Sequence, residues 1–168
     1  YMRLDPYPEV KDVLTVVKGG GLKTAILSNG SPKMLNSAID NAGINDVLDD
    51  SFSVDSIGVY KPHPSVYQMA VDGLDVEAGR ICFMSSNAWD ASAAANFGFR
   101  VVWVNRFGQP QERIPGQHEQ EITSLEALPA LLGWWATQVA QRSPRTIHSP
   151  CLVSSPTCLV STSPRALV

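Results

Sequence analysis

Acidic residues are missing from this chain after Glu126, cysteine is scarce and charge is sparse, at 17% of 168 residues. Cys82, Cys151 and Cys158 are too few for a disulfide framework and fall at no metal-binding spacing, so a reducing cytoplasm is the expected setting. His63, His118 and His148 form no triad or metal set by their spacing. Gly19-Gly20-Gly21 lacks the pattern of a phosphate-binding loop and reads as a helix stop. The longest weakly polar run, residues 127–140, is too short for a bilayer and holds Pro129 and Gln138. No secretory leader is visible, and the first residue is Tyr1 rather than Met, so the expected origin is a longer protein.

Charge is also unevenly divided. Residues 1–132 hold ten Lys/Arg against sixteen Asp/Glu, a net of −6, whereas residues 133–168 hold three Arg and no acid. An acidic body argues against nucleic acid or an anionic membrane as partner. Apolar content of 44% over this length suffices for one packed domain.

Helical and extended patterns alternate along the first 132 residues. Val10, Val13, Leu14 and Val17 mark a helix from Pro8 to Lys18, and Met34, Leu35, Ala38, Ile39 and Ala42 mark another that ends at Gly43. A third helix opens at Pro64, where His63 is the expected cap. A fourth runs over Ala88–Phe97, and a last one follows Ser124. Strands are expected at Lys23–Leu27, Ile81–Met84 and Arg100–Val104, with a further short one at Phe52–Val54. Such alternation predicts a parallel sheet with right-handed crossovers, a Rossmann-like three-layer α/β/α core.

Polar residues cluster where these strands end, the edge at which open α/β sheets place their chemistry. Ser28-Asn29-Gly30-Ser31 follows the first strand and opens a helix, a pattern that suits an anion and equally suits ordinary capping. Lys61 precedes Pro62, which favours extended backbone in a loop. There its ammonium could hold a carboxylate ionised, or simply meet solvent. Tyr67, six residues on, reads as a half-buried helix tyrosine or as a pocket residue. Ser85-Ser86-Asn87-Ala88-Trp89-Asp90 joins the third long strand to an alanine-rich helix. In that segment Asp90 could complement the helix dipole, and Trp89 could pack or form an apolar wall.

In this order and at these spacings, Ser28-Asn29, Tyr60-Lys61-Pro62-His63-Pro64-Ser65 and Ser85–Asp90 resemble the 2-haloacid dehalogenases of the haloacid dehalogenase superfamily, over residues 1 to about 132. The resemblance implies hydrolytic dehalogenation of short (S)-2-haloacids through an aspartyl ester, without a metal or other cofactor. It implies that Ser28 and Asn29 contact substrate, that Tyr67 and Trp89 line the pocket, and that Lys61, Ser85, Asn87 and Asp90 serve catalysis. Asp90 would then pair with Lys61, while Ser85 and Asn87 position the lysine and a water. Phosphatases of the superfamily carry a second acid where Ser86 stands here, and one carboxylate is a poor Mg²⁺ site.

The superfamily's nucleophile, an aspartate in an Asp-x-x-Gly-Thr motif after an apolar strand, is absent from these 168 residues. Asp5, ahead of Pro6, does not have that context. The expectation is therefore a core that lacks its central nucleophile strand and most of its cap, and that is inactive alone. A superfamily phosphatase, a non-catalytic binding protein on the same fold and a partial-gene product are the alternatives. The expected partner is a small 2-haloacid, and a homodimer is allowed. Residues 133–168, with six Ser, four Thr, four Pro and the near-repeat Cys151–Ser154 and Cys158–Ser161, are expected to be a tail that builds no core.

Overall fold

The computed structural model of the chain describes residues 5–133, 157–163 and 166–167. Helix α1 spans Val10–Gly19 and buries Val10, Val13, Leu14 and Val17, the stripe that the sequence pattern marks. Strand β1, Lys23–Ser28, is buried from Thr24 onward, and helix α2, Pro32–Ala42, begins at Ser31, whose hydroxyl accepts the Met34 N–H. Gly43 ends α2 in the left-handed conformation that glycine adopts without steric cost. Strand β2 covers Asp50–Ser53 and helix α3 Pro64–Leu74, and the His63 side chain caps α3 by accepting the Ser65 N–H. Then come β3 (Ile81–Ser85), α4 (Ala88–Phe97), β4 (Arg100–Val104) and β5 (Gln120–Ile122). Strand β5 has no counterpart in the sequence reading. Where a last helix is expected after Ser124, a 3₁₀ turn at Leu125–Ala127 leads into helical residues 128–133.

Helices cover both faces of the sheet. Helices α1 and α2 pack with Ile26, Cys82, Met84, Val102 and Val104 on one face. Helices α3 and α4 pack with Ala25, Leu27, Phe83, Val101 and Trp103 on the other. This is the three-layer arrangement that alternating βα units predict. At about 1.5–3 kcal/mol for each fully buried large apolar side chain, these two clusters supply most of the drive to fold.

The centre of the sheet departs from expectation. Strand order is β2-β1-β6-β3-β4-β5, and β6 is Thr157–Ser163. It lies parallel to β1 from Lys23↔Thr157 to Ser28↔Thr162 and parallel to β3 from Ile81↔Thr157 to Met84↔Val160. β7, Ala166–Leu167, turns back antiparallel on β6. The gap expected at the centre is thus filled from the segment expected to build no core. The physical reason is local: Thr157-Cys158-Leu159-Val160-Ser161-Thr162-Ser163 is a proline-free run rich in β-branched and apolar residues inside a proline-rich stretch. Cys158 is fully buried within the core. The first copy of the near-repeat, Cys151–Ser154, lies outside the described residues.

Candidate active site

All the parallel strands point the same way, so their C-terminal ends gather the polar turns at one edge. There Lys61 is the hub. Its backbone N–H donates to Asn29 Oδ1 at 2.9 Å, which ties the loop before α3 to the turn after β1. Its ammonium donates to the Leu27 carbonyl at 3.1 Å and to Asp90 Oδ2 at 2.8 Å. The side chains of this pair are 2% and 0% exposed. The Phe83 ring lies 5.5 Å from the same ammonium, close enough for a cation–π contribution.

Asp90 sits in the first turn of α4, where the helix dipole favours a carboxylate. Besides Lys61 it accepts from Ser85 Oγ at 3.0 Å and, through Oδ1, from the Tyr67 hydroxyl at 2.8 Å. Ser85 in turn accepts the Asn87 N–H at 3.2 Å, which shapes the β3–α4 turn. Burial first, then the neighbouring Asp90 charge and hydrogen bond, push the Tyr67 phenol far above its ordinary range, so it stays a donor. Phe83, Phe97 and Phe99 surround the Tyr67 ring.

Every sequence-marked residue therefore lies on this edge, in two groups. Lys61, Tyr67, Ser85 and Asp90 are buried and bonded to one another, the arrangement expected for Asp90 and Lys61. Asn29, Asn87 and Trp89 are half-buried beside them. Ser28 is buried and its hydroxyl accepts the Gly30 N–H at 2.9 Å, while Gly30 O receives Ser53 Oγ at 2.8 Å. Tyr67 is more enclosed than a pocket wall: its hydroxyl serves Asp90. Phe83 and the Leu27 carbonyl escaped the sequence reading because neither a ring nor a backbone oxygen carries a sequence signal for lysine binding.

A second ion pair was likewise not legible. Arg106, just past β4, meets Glu9 at 2.6 Å, with its guanidinium 3.7 Å above the Tyr7 ring. Glu9 also accepts from Ser124 Oγ and the Leu125 N–H. Burial raises the Glu9 pKa, but backbone hydrogen bonding and Arg106 outweigh it and leave the carboxyl below its ordinary value. Among the described residues, no group of three or more His, Cys, Asp or Glu is gathered as a metal site. Ser86, directly after β3, is half-buried. No described helix is long and apolar enough to cross a membrane.

The fold and this edge define a class, a three-layer α/β/α domain on a mostly parallel sheet whose polar centre is a buried lysine–aspartate pair. Haloacid dehalogenase-like hydrolases, as a family, match residues 1–98, and the chain belongs to that family. It is 45% identical over 132 residues to (S)-2-haloacid dehalogenase 1 of Pseudomonas sp. (strain CBS-3), covering 79% of this chain and 58% of that protein. The structure of the L-2-haloacid dehalogenase from Xanthobacter autotrophicus with chloropropionic acid covalently bound aligns at a TM-score of 0.75 and 34% identity. That alignment covers 79% of this chain and 63% of that one. A HAD phosphatase from Thermococcus onnurineus aligns at 0.68 and 25% identity, over 76% and 58%. The chain thus spans little more than half the length of the curated relatives it matches.

Proposed function

We propose that this chain forms the greater part of the core of a metal-independent, cytoplasmic (S)-2-haloacid dehalogenase. Its substrates would be short-chain (S)-2-haloalkanoic acids and its products (R)-2-hydroxy acids. The observation that carries the reading is Lys61, held by Leu27 O and Asp90 at the strand ends. A fixed ammonium there can keep a nearby carboxylate ionised and aimed. In the reaction an aspartate oxygen attacks C2, the carbon–halogen bond breaks and its electron pair leaves on the halide. Water then adds to the aspartyl ester, releasing the hydroxy acid with inverted configuration and restoring the carboxylate.

Within that scheme Ser28 and Asn29 bind the substrate carboxylate, Trp89 borders the halogenated carbon, and Ser85 and Asn87 order the turn that presents the water. Tyr67 acts through Asp90, which steadies Lys61. The attacking aspartate is not among these residues, so the chain alone is proposed to be inactive. Similarity to dehalogenases and to a phosphatase leaves the choice of reaction to the donor set. That set favours dehalogenation, because Asp90 is committed to Lys61, Tyr67 and Ser85 and Ser86 replaces a second acid.

The test joins this chain to the part of the Pseudomonas CBS-3 relative that it does not span. Chloride release from (S)-2-chloropropionate, unchanged by EDTA, is the expected result. Phosphate-ester hydrolysis restored by Mg²⁺ after chelation would establish the phosphatase reading. A folded fusion with neither activity would favour the binding protein.

A further inference from the structure

We propose that Asn29-Gly30 is a chemical modification site, an asparagine set to deamidate that the hydrogen bonds of the site edge hold unreacted. It is the one Asn-Gly pair in the chain. Asparagine loses its amide when the next backbone nitrogen attacks its side chain, and glycine, with no Cβ, obstructs that attack least. The Gly30 nitrogen bonds to Asn29 Cγ, the Cγ–Nδ2 bond breaks, and Nδ2 takes the Gly30 proton and leaves as ammonia. Water then opens the succinimide ring. Addition at Cγ gives aspartate, and addition at the Asn29 main-chain carbonyl gives isoaspartate. No co-reactant beyond water is needed.

Each reacting group is tied by a different element. The Gly30 N–H donates to Ser28 Oγ at 2.9 Å, so the attacking nitrogen is bonded back to the end of β1. Asn29 Oδ1 accepts the Lys61 N–H at 2.9 Å, which holds the side chain toward the loop before α3. The Gly30 carbonyl accepts from Ser53 Oγ at 2.8 Å, which fixes the same residue from β2. These bonds all join residues within the continuous stretch 5–133. Attack requires the Gly30 nitrogen to give up the proton it shares with Ser28, and the Asn29 side chain to turn from Lys61. Deamidation therefore waits on local opening, and its rate measures how often this edge opens. The product carries a new negative charge. On the dehalogenase reading that charge stands where the substrate carboxylate binds, and like charges repel. The modification itself does not depend on that reading.

The test needs no catalytic activity. The full chain is held in mildly alkaline buffer and sampled over time. Brief digestion releases the tryptic peptide 24–33, in which Asn29 is the one asparagine, and mass spectrometry follows its conversion from amide to acid. A free peptide of the same residues is the unlocked reference. The expected result is conversion in the free peptide and much slower conversion in the chain. Ser28→Ala and Ser53→Ala, each shown to be folded by a cooperative urea transition, should each speed conversion by about fivefold, the worth of one intramolecular hydrogen bond. If Ser28→Ala does not fold, Ser53→Ala decides. Equal rates in chain and free peptide would overturn the protection. Folded variants that convert no faster than the parent would overturn the lock. A free peptide that keeps its amide throughout would overturn the site.

Discussion

Lys61 and Asp90, 29 residues apart in sequence, meet at 2.8 Å with both side chains closed to solvent. Such a pair is worth little net stability, but either half alone is costly, because the survivor is a buried charge.

Lys61→Met should therefore destabilise the domain by about 3–5 kcal/mol, and Lys61→Met with Asp90→Leu by clearly less than the sum of the two single changes. Urea unfolding of the three variants measures this. Additive losses would show that the two side chains do not act as a pair.

Tyr67→Phe keeps the ring among Phe83, Phe97 and Phe99 and deletes only the hydroxyl donated to Asp90. Loss of one donor to a buried carboxylate should cost about 1–3 kcal/mol. In an active fusion it should lower kcat more than it raises KM, since Tyr67 acts through Asp90. A rise in KM alone would make it a substrate contact.

Acid should weaken the domain through Glu9. Its carboxyl lies below the ordinary value when folded, so its contribution is present above the unfolded pKa and is lost as pH falls through the folded one. Thermal unfolding at successive pH values should show that loss, and Glu9→Gln should reduce the slope in the acid range. An unchanged slope would remove the Glu9–Arg106 pair from the account.

Gly116 has φ +100°, and a Cβ there would collide with the Ser92 carbonyl and the Asn96 amide on α4. Gly116→Ala should cost at least about 1–3 kcal/mol from backbone strain alone. Gly19→Ala, with open space around it, serves as the tolerated control in the same denaturant series.

Local pattern explains what could be read in the sequence. Helices α1 to α3 follow apolar spacing closed by Gly, Pro or a capping side chain, α4 is an alanine-rich run ended by Gly98, and β1, β3 and β4 are mostly apolar runs, as doubly covered strands should be. The Lys61–Asp90 pair was expected from the resemblance to the 2-haloacid dehalogenases, while position at strand ends alone left both residues with other readings. β5 was missed because three residues, Gln120–Ile122, carry no detectable alternation. The Glu9–Arg106 pair joins residues from opposite ends of the body, and nothing local marks either as the other's partner. β6 was missed because composition was averaged over a stretch whose prolines lie outside the seven residues that enter the sheet.

That central position makes completion of this fold a late event in the life of each molecule. Domains start to fold from the N-terminus during synthesis. Here β2-β1 and β3-β4-β5 can form while the ribosome is still at work, yet the strand that joins them follows all of them in the chain. Until Thr157–Ser163 has been made, the two half-sheets face each other across an open seam, and the nascent chain is most in need of a chaperone over that interval.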